Sequence, residues 1–272
     1  MTQKLLVRRH SGATRLTHWL NALALALLLM SGLQIFNAHP ALYWGAKSHF
    51  EAPWLSIGAA ERGGRTVGVT RLGAASFDTT GVLGWSGKPG ARSPQGFPAW
   101  ATVPSWRDLA TGRRWHFFFA WVFVLNGLVY LATGLIGGHI RRDLWPTRAQ
   151  LSPRNLWHEM ATHAQLKFPK GEAARSYNVL QKLSYLVVAL GLLPLMVATG
   201  LTMSPGFDAA APWLLDLFGG RQSARSIHFI CASLIVLFVI VHLVMVAVSG
   251  LWNNIRSMIT GRYAIEVEGE RP

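Results

Sequence analysis

The chain has 272 residues, of which 51% are hydrophobic and 14% charged. A soluble domain carries roughly 25% charged residues, and a disordered one is poor in apolar residues, so both classes are excluded. The net charge of +14 raises nucleic acid as a partner, but the distribution of the charges argues against it and for a basic membrane surface.

Asp, Glu, Lys and Arg are absent from residues 16–46, 115–140, 183–207 and 226–255. Each window exceeds the roughly 20 apolar residues that cross a bilayer as a helix. The expectation is an all-α integral membrane protein, a four-helix bundle in one domain over 1–272. Its spans run at about 16–36, 115–136, 183–203 and 227–248. The first span is read as retained and not as a signal peptide, because no small-residue cleavage site follows it. A Gly-, Pro- and Trp-rich loop, 37–114, joins the first two spans and is too long to be a mere connector. Residues 138–182 form the second connection. There Ser152-Pro153 opens a surface helix. Pro194 kinks the third span, and 209–219 lies at the interface. Fifteen basic residues fall on the side of the termini against eleven on the other, which places both termini in the cytoplasm.

Four of the ten histidines lie in or at the spans: His18, His116, His228 and His242. Intramembrane histidines are costly and usually functional. His228 and His242 are fourteen residues apart, so they share one helix face with roughly 21 Å between them. Span directions put His116 at the depth of His228, and His18 at the depth of His242. Two imidazoles at each of two depths suit two haems with paired axial histidines. Arg15, Arg113 and Arg225 each precede His18, His116 and His228 by three residues, which places each guanidinium one helical turn from its histidine to pair with a haem propionate. The single cysteine, Cys231, excludes iron–sulfur ligation and covalent haem attachment, and is read as packing. No catalytic set of the chain's own is visible.

The stretches RLTHW at 15–19, GRRWHFFFAWVFVLNGLVY at 112–130 and YNVLQKLSY at 177–185, with the H-x13-H of the fourth span, resemble a known family. It is the bacterial di-haem cytochrome b561, nickel-hydrogenase and formate-dehydrogenase gamma-type membrane subunits, with the thiosulfate-reductase-type cytochrome b branch as the best match. The resemblance implies two b-type haems on the four histidines. It also implies a quinone, menaquinone or ubiquinone, beside Tyr177, Asn178, Gln181 and Lys182 at the start of the third span. It implies a periplasmic oxidoreductase partner, often molybdenum-dependent, docked on loop 37–114, and a bacterial inner-membrane location. The implied function is electron transfer between quinone and that partner. Two other readings stand beside it. One is a self-contained b561-like quinone-linked oxidase or reductase, against which the long loop speaks. The other is a transporter with a histidine proton relay, against which the absence of carboxylates in the spans speaks.

Overall fold

The computed structural model describes residues 2–138, 140–165 and 178–268. It is mostly helical. Four helical stretches are long and apolar enough to cross a membrane: α1 (Gly12–Phe36), α2 (Leu109–Ile136), a third over Val179–Thr202, and α8 (Arg221–Val248). Their outward faces carry bare apolar side chains, of which Ile136 is 90% exposed, as a lipid-facing surface requires. Asp108 caps α2, its Oδ1 accepting from the Thr111 N–H at 2.9 Å. That bond holds its carboxyl below the usual range.

The third stretch is not one regular helix. α4 (Val179–Leu186) passes into a π-helical segment, Val187–Leu192, and then into α5 (Leu193–Thr202). Pro194 has no N–H for the carbonyl one turn back, and the Leu193 N–H bonds the Val188 oxygen, five residues away. The expected kink is thus a widened turn just before the proline.

The chain divides into two compact units. The first comprises 1–21, 125–194 and 233–272. In it, β1 (Thr2–Arg8) pairs antiparallel with β8 (Arg262–Glu268), and α9 (Leu251–Thr260) packs on β8. Asn253 ties α9 to β8 by bonding both the N–H and the C=O of Ala264, at 2.9 and 2.8 Å. α3 (Pro153–Ala164) begins where Ser152-Pro153 predicted, with Ser152 Oγ accepting from the Asn155 N–H at 3.4 Å. Inside this unit the buried Asn126 amide donates to the Thr17 carbonyl at 2.8 Å and to Asn21 Oδ1 at 2.7 Å, polar glue between α1 and α2.

The second unit comprises 22–124 and 195–232, and within it the long loop is structured. β2 (Ala41–Leu42), β3 (Leu55–Arg62), β4 (Arg65–Leu72) and β5 (Ala75–Asp78) form an antiparallel sheet in chain order. β6 (Gly84–Ser86) and β7 (Ser93–Gln95) form a second hairpin. The sequence reading expected a loop here, not strands. The signal was Gly63-Gly64, both at positive φ, between a run bearing Leu55 and Ile57 and one bearing Val67, Val69 and Thr70. That is the two-residue turn a tight hairpin demands. Two short helices, α6 (Pro205–Ala210) and α7 (Pro212–Leu217), occupy the segment expected at the interface. The core of the unit is Phe36, Leu42, Leu55 and Ile57, packed against Trp54, Leu83, Phe97 and Phe229. Side chains near the α1 and α8 termini pin the sheet's approach. Asn37 and the Phe97 backbone exchange two hydrogen bonds of 3.0 and 2.6 Å. Ser226 accepts from Trp54 Nε1 at 2.9 Å and donates to the Tyr43 carbonyl at 2.6 Å.

Candidate functional site

α2 and α8 bring His116 and His228 together in the second unit, with ring centroids 6.3 Å apart and planes at 61°. In the first unit α1 and α8 bring His18 and His242 to the same separation, 6.3 Å, at 53°. An imidazole nitrogen binds a metal at about 2.0–2.1 Å and sits about 1 Å from its ring centre, so one metal between two opposed rings sets the centres roughly 6 Å apart. Both pairs have that spacing. No group of three or more His, Cys, Asp or Glu side chains placed to share a metal occurs among the described residues. Two protein ligands leave a bare ion undercoordinated. They suit a haem iron, which arrives with four nitrogens of its own.

The His116–His228 pair is held from behind in the same way on both sides. His116 Nδ1 lies 3.1 Å from Ser31 Oγ and 3.2 Å from the Leu28 carbonyl. Ser31 Oγ donates its hydrogen to the Leu27 carbonyl at 2.6 Å. A carbonyl only accepts, and a hydroxyl whose hydrogen is engaged can only accept, so the ring hydrogen sits on Nδ1. His228 Nδ1 lies 3.0 Å from Thr199 Oγ1, which donates to the Leu195 carbonyl at 2.7 Å. The backbone of Met196 bonds the same ring. Both histidines therefore keep a lone pair on Nε2, the tautomer a metal ligand needs, with the partner on Nδ1 fixing the ring's angle.

A glycine follows each hydroxyl residue. A Cβ on Gly32 would meet His116 Cε1 at 3.3 Å, and one on Gly200 would meet His228 Cε1 at 3.4 Å. The hydroxyl-glycine dipeptides Ser31-Gly32 and Thr199-Gly200 thus let the Nδ1–Cε1 edge of each imidazole come close to a helix backbone. Sequence reasoning missed all four residues. The repeated dipeptide inside two charge-free spans was the available signal.

The His18–His242 pair is built differently. His242 stacks on Phe238 at 6.0 Å and 20°, and Phe238 meets Tyr185 of α4 edge-on at 6.5 Å. His18 abuts Trp19, whose Nε1 donates to the Met258 carbonyl at 3.1 Å. His18 Nδ1 is buried without a hydrogen-bond partner among the described residues.

The three arginines expected at propionates have partners of their own. Arg15 donates to the carbonyls of Ile259 and Ser11. Arg225 donates to the carbonyls of His39 and Ala41, the latter at 2.8 Å, and lies over the Phe36 ring. Arg113 lies 5.6 Å from the Phe117 ring centre. A guanidinium carries five N–H groups, so two carbonyl bonds leave capacity for a carboxylate.

At the start of the third span, Asn178 caps α4 by accepting from the Gln181 N–H at 2.9 Å. Lys182 is buried, 7% exposed, with Nζ 3.4 Å from Gln150 Oε1. Tyr177 lies outside the described residues. Gln181 and Lys182 precede Tyr185 by one helical turn, on the helix that reaches His242 through Phe238. Elsewhere in the second unit, His39 stacks on Tyr43 at 5.6 Å and 22°, and its Nε2 is buried without a partner among the described residues.

The family model described as prokaryotic cytochrome b561 matches residues 9–261. A putative protein-methionine-sulfoxide reductase subunit, YedZ1, of Azospira oryzae is 26% identical over 238 residues, covering 88% of this chain and 89% of the relative. No solved structure matches the chain.

Proposed function

The chain belongs to the prokaryotic cytochrome b561 family, a family of haem-binding membrane helical bundles, and from that premise we propose that it is a di-haem subunit. In this reading it passes electrons between a membrane quinone and an oxidoreductase on the opposite face. That the chain is a multi-pass membrane cytochrome subunit follows from the family and the four apolar helices. The two-haem reading is supported by one observation above the rest, the equal 6.3 Å spacing of His116–His228 and His18–His242.

When bound, haem supplies a one-electron carrier at each histidine pair. The chain's residues do the rest. Ser31 and Thr199 hold the ring hydrogens of His116 and His228 on Nδ1 and so present Nε2. Arg15, Arg113 and Arg225 supply N–H donors one turn from their histidines, for propionates. Gln181 and Lys182 offer an amide and an ammonium to a quinone oxygen, with Asn178 shaping the helix start. Tyr185 and Phe238 pack an aromatic path from that helix to His242.

The partner proposal draws on the relative's name, a methionine-sulfoxide reductase subunit. The resemblance adds that such partners are often molybdenum enzymes. The sheet β2–β5 and the exposed Trp100 and Trp106 give a structured surface for docking. With the termini cytoplasmic, that surface is periplasmic and the membrane is the bacterial inner membrane.

The test is haem quantitation on purified protein, followed by variants. Two b-type haems per chain are expected. His228→Ala is expected to lose one haem and His242→Ala the other, with different spectra. One haem per chain, or no loss from either variant, sinks the two-haem reading.

A further inference from the structure

The first unit holds a cavity of about 370 Å³ that the electron-transfer reading does not use. It opens where α1 begins and α2 ends, at one face of the membrane spans. Arg8 and Arg9 reach it from the end of β1, and Arg142 from the π-helical turn Ile140–Leu144 that follows α2. Asp143 and Tyr130 line it too. Three guanidinium groups and one carboxylate leave the wall cationic.

The arginines are placed by backbone and not by chance of side-chain reach. The β1–β8 ribbon fixes the chain up to Arg8, and the Arg9 N–H donates to the Gly261 carbonyl at 2.8 Å. The Arg9 guanidinium lies 4.5 Å from the Tyr263 ring centre. Arg142 Nη2 donates to the Gly137 carbonyl, which holds the guanidinium at the cavity rim and leaves its other N–H groups for a ligand. The wall toward the spans is formed by Ala13 and Thr14 of α1 and by Tyr130, Thr133 and Gly134 of α2, with Thr133 exposed.

A run of basic residues at a span end is usually a solvated face. Here guanidinium groups from two separate stretches of chain converge on one concavity, within the size range of small-ligand pockets. Guanidinium matches phosphate oxygens in pairs. A quinone is neutral and its carbonyls accept single hydrogen bonds, so it does not call for three converging positive charges. Basic pockets between spans at the membrane face take acidic lipid headgroups.

We propose that this cavity binds the phosphodiester headgroup of an acidic phospholipid. The guanidinium groups of Arg8, Arg9 and Arg142 clasp the phosphate, and the acyl chains leave toward the bilayer past Ala13 and Thr133. The ligand is a phosphate oxyanion held at a membrane boundary. A free phosphate shares that chemistry and lacks the chains.

The test uses the full haem-loaded chain in mild detergent, titrated with phosphatidylglycerol, phosphatidylcholine or inorganic phosphate and read by native mass spectrometry. One phosphatidylglycerol is expected to bind with about a tenfold preference over phosphatidylcholine. Arg8→Gln/Arg142→Gln is expected to abolish that preference while both haem spectra stay intact. Arg8→Gln alone, at an exposed position, keeps the test valid if the double variant fails to fold, and should weaken phosphatidylglycerol binding several-fold. Equal binding of the two lipids, or unchanged preference in the variants, overturns the proposal. Displacement of the lipid by equimolar inorganic phosphate overturns the lipid assignment. Loss of the His18–His242 haem spectrum together with lipid binding also overturns it, since the arginines would then serve the cofactor. Each of these outcomes is independent of whether the chain transfers electrons to a partner.

Discussion

Thr199 Oγ1 accepts from His228 Nδ1 at 3.0 Å while giving its own hydrogen to Leu195 one turn back. Ser31 stands in the same relation to His116 and Leu27. Two different helices thus use one local device, a helical hydroxyl committed to its i−4 carbonyl, to fix an imidazole on a neighbour. A hydrogen bond accepted from Nδ1 makes the ring a stronger donor through Nε2. A stronger donor favours the oxidised iron.

Replacing Thr199 with Val removes the acceptor at nearly constant volume. In the two-haem reading, the reduction potential of the haem assigned to His228 is expected to rise by some tens of millivolts. About 1 kcal/mol, the net worth of one hydrogen bond, is roughly 40 mV for one electron. Thr199→Ser should restore the original value. The haem at His18–His242 should not move, because Thr199 does not touch that pair. Spectroelectrochemical titration reads both potentials, and an unchanged pair of values would refute the role given to Thr199.

Gly32 and Gly200 govern the same rings by space. Gly200→Ala places a Cβ at 3.4 Å from His228 Cε1, ordinary contact, and should leave haem content nearly unchanged. Gly200→Val adds two methyl groups toward that ring and should remove about half of the haem. Retention of full haem content in the valine variant would show that the close approach is incidental.

The histidines were legible because a charge-free helix makes every polar residue conspicuous, and the 14-residue spacing converts directly into one helix face. Ser31 and Thr199 were not, since a hydroxyl inside a helix normally satisfies itself on the i−4 carbonyl and signals nothing about a neighbour. The Gly63-Gly64 hairpin was readable in principle, yet the surrounding glycine and proline favoured a loop reading. The arginines show a different limit. Spacing put Arg225 one turn from His228, but only the fold reveals that it also holds the His39 and Ala41 carbonyls.

At the proposed quinone site, capping and binding must be separated. Asn178→Ala removes the α4 cap at a cost of about 1 kcal/mol, whereas Asn178→Asp keeps an acceptor for the Gln181 N–H. If Asn178 acts as a cap, quinol oxidation falls in the alanine variant and recovers in the aspartate. Gln181→Leu and Lys182→Met leave the cap intact and are expected to slow quinol-driven haem reduction at least several-fold with both haem spectra retained. Stopped-flow reduction rates decide the matter; wild-type rates in both variants would remove Gln181 and Lys182 from the site.

His39 gives the pH dependence. Burial first, and the Arg225 guanidinium second, push its imidazole below the usual range near 6.5. The folded state therefore binds this proton less readily than the unfolded chain does. Above about pH 6.5 the ring is neutral in both states and costs nothing. As the pH falls below that value the unfolded chain takes up the proton first, and stability is lost until the folded-state pKa is passed. The loss falls on the segment His39 supports, through its stacking on Tyr43 and the Arg225 bond to its carbonyl. Hydrogen exchange at the Ala41 and Trp54 amides, which bond the His39 and Leu42 carbonyls, should accelerate as the pH falls below about 6.5, beyond the intrinsic pH effect. His39→Phe keeps the stack and cannot titrate, so it should abolish that acceleration. If the variant and the wild type respond alike to acid, His39 is not the group that titrates there.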